Sequence, residues 1–270
     1  MLCVGGMLLT REMVPMVRRA SLKVGIGIST YGRRDVFHEC IGNVNEYTRD
    51  DTVVVISDDG SPEGPPDAAG NILLSNQNGG IARNKNRLLA NLFDVQKVDV
   101  AILLEDDVRP TVHNWEDPWA LVGLINGAGF WAVPGLPTQH SHTHIKITSD
   151  QCSAQCIVVS REAWNSVGYM DPRFTGYGFE HAEWQRRLAR EGFGGVECRD
   201  GIFYTAYDFQ NLQNVPSEST GSPKKIDEMY PVFAACHNDT GWKNAWVDEE
   251  DRLKFFAEAG IDGTHTPMVF

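Results

Sequence analysis

The chain has no Cys-x-x-Cys pair, and its six cysteines (Cys3, Cys40, Cys152, Cys156, Cys198 and Cys236) are too sparse among 270 residues for a small disulfide-stapled scaffold. Buried, reduced thiols in a cytoplasmic protein are the expectation. Basic residues are also scarce: 24 Lys+Arg stand against 36 Asp+Glu, a net charge of −12. A surface built to neutralise nucleic-acid phosphates needs the opposite balance, so nucleic acid is a disfavoured partner, although a local basic groove stays open. There is no internal repeat, no low-complexity tract and no apolar run long enough to cross a bilayer. The N-terminal stretch is apolar but interrupted by Gly5-Gly6, and Arg11, Arg18 and Arg19 follow it rather than precede it. That is the wrong charge order for a signal peptide, so residues 1–22 read as a poorly ordered leader.

With hydrophobic residues at 42%, the remainder can bury a substantial core as one catalytic unit. Ordered structure is expected from Lys23, where KVGIGIST is an Ile-rich strand, followed by a Tyr-Gly turn and a helix over about 34–47. DTVVVIS (51–57), NILLS (71–75) and VDVAILLE (98–105) read as further buried strands, and GIARNKNRLLANLF (80–93) as an amphipathic helix. Strands alternating with helices predict a mainly parallel, doubly wound α/β sheet with helices on both faces, and chemistry at the carboxyl ends of its strands. Later, FWAVPG (130–135) and QCIVVS (155–160) read as strands and EHAEWQRRLAREG (180–192) as a helix closed by Gly192. Residues 136–150 read as a surface loop or hairpin, and the polar run from Gln210 to Lys225 as a loop suited to a lid.

Three segments carry chemistry. Asp58-Asp59-Gly60-Ser61 sets two carboxylates directly after a buried strand, where they can accept from a base or a ribose hydroxyl, or form a plain Asp-Gly turn. Glu105-Asp106-Asp107 puts three carboxylates at the end of the most hydrophobic strand. Like charges so close repel unless a cation sits among them, and hard oxygen ligands favour Mg2+ or Mn2+ bridging to substrate phosphates. Asn78 to Asn86 joins a Gly79-Gly80 turn to a helix start bearing Arg83 and Lys85, a site for a diphosphate or a sugar hydroxyl; a capped helix with solvated basic residues would look the same.

In this order, these pieces resemble the family 2-like glycosyltransferases of the GT-A (Rossmann-like) fold. Ile28-Ser29-Thr30-Tyr31-Gly32-Arg33 resembles the opening strand and loop that hold the nucleotide base, Asp58-Asp59-Gly60-Ser61 the acidic pair after the second strand, Asn78 to Asn86 the glycine and Ala-Arg-Asn segment, and Glu105-Asp106-Asp107 the DxD metal motif. Gly176 to Trp184 resembles the acidic acceptor-site motif, with Glu180 as its first acid and His181 where many inverting members carry the catalytic Asp. The resemblance spans about 23–192. It implies a donor-binding set of Thr30, Tyr31, Arg33, Asp58, Asp59, Gly80, Arg83 and Asp106, metal ligands Glu105 and Asp107 with His237 as a third, and Glu180, His181 or Glu183 as acceptor-side acid or base. It also implies a core over 23–209, with a nucleotide-sugar half at about 23–110 and an acceptor half at about 111–209, then a C-terminal loop and helical extension over 210–270. A nucleotide-sugar donor, UDP-linked by preference, and a hydroxyl acceptor such as a glycan, protein or modified nucleobase would be the substrates. Trp131, Tyr177 and Trp184 are possible faces for a sugar ring, against the commoner role of core aromatics. The rival readings are a nucleotidyltransferase, which would need a better glycine-rich basic loop than Thr30-Tyr31-Gly32-Arg33, and a non-catalytic sugar- or nucleotide-binding module.

Overall fold

The first strand, β1 (Val24–Thr30), is buried on both faces along nearly its whole length, as a central strand of a covered parallel sheet must be. In the computed structural model the described residues are 22–132, 153–199, 201–215 and 223–262, together with the backbone of strands Leu2–Val4, Met7–Leu9, Ser141–His142 and Lys146–Ser149. After β1 come α1 (Arg34–Tyr47), β2 (Val53–Asp58), β3 (Ile72–Ser75), α2 (Ile81–Ala90), which runs into a π-helical turn (Asn91–Val95), and β4 (Val100–Glu105). The short β5 (Val108–Pro110) and α3 (Glu116–Asn126) lead to β6 (Ala128–Trp131). Then follow β7 (Ser141–His142), β8 (Lys146–Ser149), β9 (Cys156–Ser160), α4 (Arg161–Val167) and α5 (Glu180–Arg190). Strands β10 (Gly195–Cys198), β11 (Gly201–Tyr207) and β12 (Leu212–Asn214) precede α6 (Pro223–Ala235) and α7 (Glu249–Glu258).

The main sheet runs β3-β2-β1-β4-β9-β6-β11-β8-β7, with β10 added on β11. β3, β2, β1 and β4 are mutually parallel. β9 is antiparallel to both its neighbours, so β6 and its parallel partner β11 point the same way as β4. The mainly parallel sheet expected from the strand-helix alternation is present, and β9 is the reversed strand in its middle. β7 and β8 pair antiparallel, as a hairpin within the stretch 136–150 would; Leu2–Val4 and Met7–Leu9 also pair with each other. Of the lid expected over 210–225, residues 216–222 lie outside the described residues; β12 before them pairs antiparallel with β5, and α6 begins at Pro223 after them.

Helices cover both faces. Val100, Ile102 and Leu104 of β4 join Phe37, Ile41 and Val44 of α1 and Trp119 of α3 in one core, while Ala101 and Leu103 join Leu88 of α2, Trp164 of α4, Leu188 of α5 and Phe255 of α7 in the other. This alternation along one strand is the period-two pleat. Gly25 allows the second of these layers to close tightly on β1: a Cβ there would lie 2.6 Å from Leu92 and 2.8 Å from Val98. The C-terminal extension is part of the body of the fold, because Phe255, Phe256, Ala259 and Ile261 are buried in the second core. Cys40, Cys156 and Cys236 are free, buried thiols and Cys198 is free and exposed.

Candidate functional site

The carboxyl ends of β1, β2 and β4 open into a cleft of about 1130 Å³. Ten of the residues singled out in the sequence line it: Thr30, Tyr31, Arg33, Asp59, Gly80, Glu105, Asp107, Tyr177, Glu180 and His181. Parallel strands end together, and this is why β1, β2 and β4 bring Thr30, Asp59 and Glu105 to one place.

On the β2 side, Asp59 accepts from the Gly79 and Gly80 amides at 2.9 and 3.0 Å and from Arg87 Nη1 at 2.7 Å. Burial pushes this carboxyl above the usual range, and those donors pull against it. Gly80 has φ +85°, and a Cβ there would stand 2.8 Å from the Thr175 carbonyl oxygen, so the turn and the Thr175 loop can approach only through glycine. Asp58 behaves differently. It is wholly buried, accepts from Ser61 and Ser75 and is not on the cleft lining. It has taken the turn-capping role.

At the end of β4 the three carboxylates divide in the same way. Asp106 is fully buried, accepting from Thr30 Oγ1 at 2.7 Å and from Arg33 Nη2. Burial pushes it up to about 7, against the pull of Arg33 and the Thr30 hydroxyl. Glu105 and Asp107 face the cleft. Burial opposes the charge on Glu105, but Lys85, whose ammonium donates to Oε1 at 2.8 Å, holds it below its ordinary value. Asp107 meets Arg33 Nη1 at 3.3 Å and Gln155 Nε2 at 3.4 Å. Two hard carboxylate donors on the cleft lining fit a divalent cation.

Also on the cleft lining, Phe179 is the N-cap of α5, with a left-handed backbone at φ +69°. The next side chain, Glu180, is 3% exposed, accepts from the Gly178 amide at 2.9 Å and lies 3.2 Å from His181 Nδ1. Burial disfavours its charge, yet the His181 contact and Lys85 hold Glu180 below the usual carboxylate range.

Three expected site residues stand elsewhere. Glu183 is buried against Arg187 (2.7 and 3.0 Å) and Lys243 (3.3 Å), off the cleft lining. Arg83 donates to Asp251 and Glu258, both at 2.7 Å, and so fastens α7. His237 is exposed and meets Arg186 Nη1 at 3.2 Å; Arg186 lines the cleft, His237 does not. Of the aromatic residues, Tyr177 is on the lining, whereas Trp131 and Trp184 are core residues. Within 136–150, the side chains of His140, His142 and His144 lie outside the described residues. Sequence reasoning missed Gln155, Asn214, Met229 and Phe233, which also line the cleft and sit in no motif. Arg186 had a readable signal, since it lies one helical turn beyond Ala182 on the same face of α5.

No protein-family model matches the sequence, and neither does any curated protein. Solved structures do share the architecture. S. aureus TarS residues 1–349, in complex with UDP, superpose with TM-score 0.54 at 13% identity, over 88% of this chain and 70% of that one. GalNAc-T7 with UDP, GalNAc and Mn2+ gives 0.52 at 14%, over 87% and 50%. The mannosyltransferase PcManGT of Pyrobaculum calidifontis, with GDP-Man and Mn2+, gives 0.51 at 14%, over 91% and 66%. The fold is GT-A. The chain covers between 50% and 70% of the length of these chains. Among the described residues no helix is long and apolar enough to cross a membrane.

Proposed function

We propose that this chain is a glycosyltransferase that moves a sugar from a nucleotide-sugar donor, UDP-linked by preference, to a hydroxyl acceptor. The observation that carries the reading is the placement of Glu105, Asp107, Glu180 and His181 together on the lining of one cleft. The neighbours in the GT-A fold, in complex with UDP or GDP-Man and in two cases with Mn2+, support a nucleotide-sugar donor and a divalent ion.

Thr30, Tyr31 and Asp59 form the wall for base and ribose. Glu105 and Asp107 would hold Mn2+ or Mg2+, which supplies charge stabilisation for the departing nucleoside diphosphate. Arg33, bound to Asp106 and Asp107, keeps the carboxylate pair in place. Glu180 accepts from His181 Nδ1, which leaves Nε2 as the proton acceptor and fixes the ring. His181 is then the base that removes the acceptor's hydroxyl proton, with Glu180 orienting it. Arg83, Glu183 and Asp58 have structural partners in place of substrate contacts. The cleft volume exceeds that of a drug-sized site, as donor and acceptor together require.

The test is Mn2+-dependent release of nucleoside diphosphate from UDP-, GDP- and TDP-sugars, comparing the native chain with Asp107→Ala. Hydrolysis of one donor that is lost with chelator and with the substitution supports the reading. Absence of both hydrolysis and any metal-dependent donor binding by calorimetry would sink it.

A further inference from the structure

The charged groups on the cleft are paired apart from Arg186 and the exposed Glu228. Arg33 meets Asp106 and Asp107, Lys85 meets Glu105, and His181 meets Glu180. Arg186, one turn along α5 from Ala182, lines the same cleft. Among the described residues no carboxylate lies within ion-pair distance of it: Glu197 nearby is taken by Arg190 at 3.1 Å, and Glu228, exposed on the opposing α6, makes no ion pair with it. Its one polar neighbour is a histidine nitrogen, His237 Nδ1 at 3.2 Å.

The guanidinium is nonetheless held in place. Its carbon lies 4.4 Å from the centroid of Phe233, and Phe233 is stacked on Phe179 at 4.8 Å with an interplanar angle of 18°. A guanidinium lying on an aromatic face keeps its N–H edge free for a planar or tetrahedral anion. The Phe179–Phe233 pair and Met229 meanwhile form an apolar ledge beside it. Arg186 follows Glu180 and His181 on α5, the pair that the proposed function assigns to the acceptor, and this links it to the acceptor side.

We propose that the acceptor carries an anionic group, phosphate or carboxylate, bound by Arg186, with the body of the acceptor resting on the Phe179–Phe233 ledge. The inference rests on the glycosyltransferase reading for the word acceptor, but the anion site itself does not depend on it. Bidentate, charge-assisted pairing is about twice as strong as a neutral hydrogen bond, so an anionic acceptor should bind about tenfold more tightly than its neutral counterpart, a step of about 1.4 kcal/mol.

The experiment is a ligand-observed NMR titration of methyl glucoside, methyl glucoside 6-phosphate and methyl glucuronide onto the full chain. UDP binding is measured first by calorimetry with Mn2+, and saturating UDP is then kept present to hold the probes off the donor wall. Failure of UDP to bind counts against the glycosyltransferase reading alone, and the titration then proceeds without it. Tighter binding of either anionic probe, erased in Arg186→Gln and partly kept in Arg186→Lys, is the expected result, and the preferred probe tells phosphate from carboxylate. Equal binding of all three, equal absence of binding, or a preference that survives in a folded Arg186→Gln chain overturns the proposal.

Discussion

Arg87 and Asp59 form a buried ion pair at 2.7 Å, with side chains 1% and 5% exposed. Arg87 does not act alone, because its Nε donates to Glu258 Oε2 at 3.0 Å, and Arg83 donates to that same oxygen at 2.7 Å. The last turn of α7 is thereby tied through two arginines to the carboxylate that holds the Gly79-Gly80 turn. A buried charge that loses its partner is costly. Glu258→Gln is therefore expected to lower stability by about 1–3 kcal/mol and to weaken UDP binding, although Glu258 is not on the cleft lining. Denaturant unfolding and calorimetry on the same preparation check this; a stability loss with unchanged UDP affinity would show that the tie does not position Asp59.

Adjacent carboxylates should give opposite phenotypes. Asp106 holds Thr30 and Arg33 inside the protein, so Asp106→Ala leaves both unpartnered by it and should cost roughly 2–4 kcal/mol. Asp107 faces the cleft, and Asp107→Ala should leave thermal stability without metal nearly unchanged. The native chain should gain stability with Mn2+, by about 2.7 kcal/mol at a hundredfold excess over Kd, and Asp107→Ala should not. Thermal melts with and without Mn2+ read both; a normal Mn2+ shift in Asp107→Ala removes it as a ligand.

These contrasts explain what was legible in the sequence. Apolar runs ending in carboxylates marked the strand ends, and strands separated by helices marked β1 to β4 as parallel, since both signals are local. The reversal of β9 was not legible: Cys156-Ile157-Val158-Val159-Ser160 reads as a buried strand whichever way it runs. The division of labour within Asp58-Asp59 and within Glu105-Asp106-Asp107 is also tertiary, set by Ser75, Thr30 and Arg33 from other strands and loops. Arg83 turned from a donor contact to a structural one because its partners stand 168 and 175 residues away. The structural role of Glu183 did have a local trace, an i,i+4 pair with Arg187.

The His181–Glu180 pair makes a graded prediction. His181→Ala should lower the transfer rate by roughly 100- to 10,000-fold, the usual range for a lost general base, while leaving the KM for donor within a few-fold. Glu180→Gln keeps a hydrogen-bond acceptor but loses the charge, and should fall less. Single-turnover rates across pH separate chemistry from binding; a His181→Ala chain with native single-turnover rates would transfer the base role elsewhere.

Asp171 ties stability to pH. It is buried and accepts from Arg173 and from Lys243 at 2.5 Å, and Lys243 also reaches Asp239 at 2.5 Å and Glu183 at 3.3 Å. Burial alone would raise this carboxyl, but the Arg173 and Lys243 bonds overcome it and hold Asp171 well below the usual carboxylate range. In the unfolded chain an Asp titrates near its ordinary value of about 3.9. Because the folded value is the lower one, the unfolded chain binds the proton first. The contribution is therefore complete above about pH 5 and is lost progressively as pH falls through and below 3.9. Asp171→Asn should cost on the order of 2–3 kcal/mol near neutral pH and should flatten the stability curve between pH 5 and the acid limit, with little effect at higher pH beyond the constant loss. Urea unfolding from about pH 7 to 3 on both chains measures the two slopes. Parallel curves would mean that Asp171 is not the group whose protonation loosens the α5 to α6 region in acid.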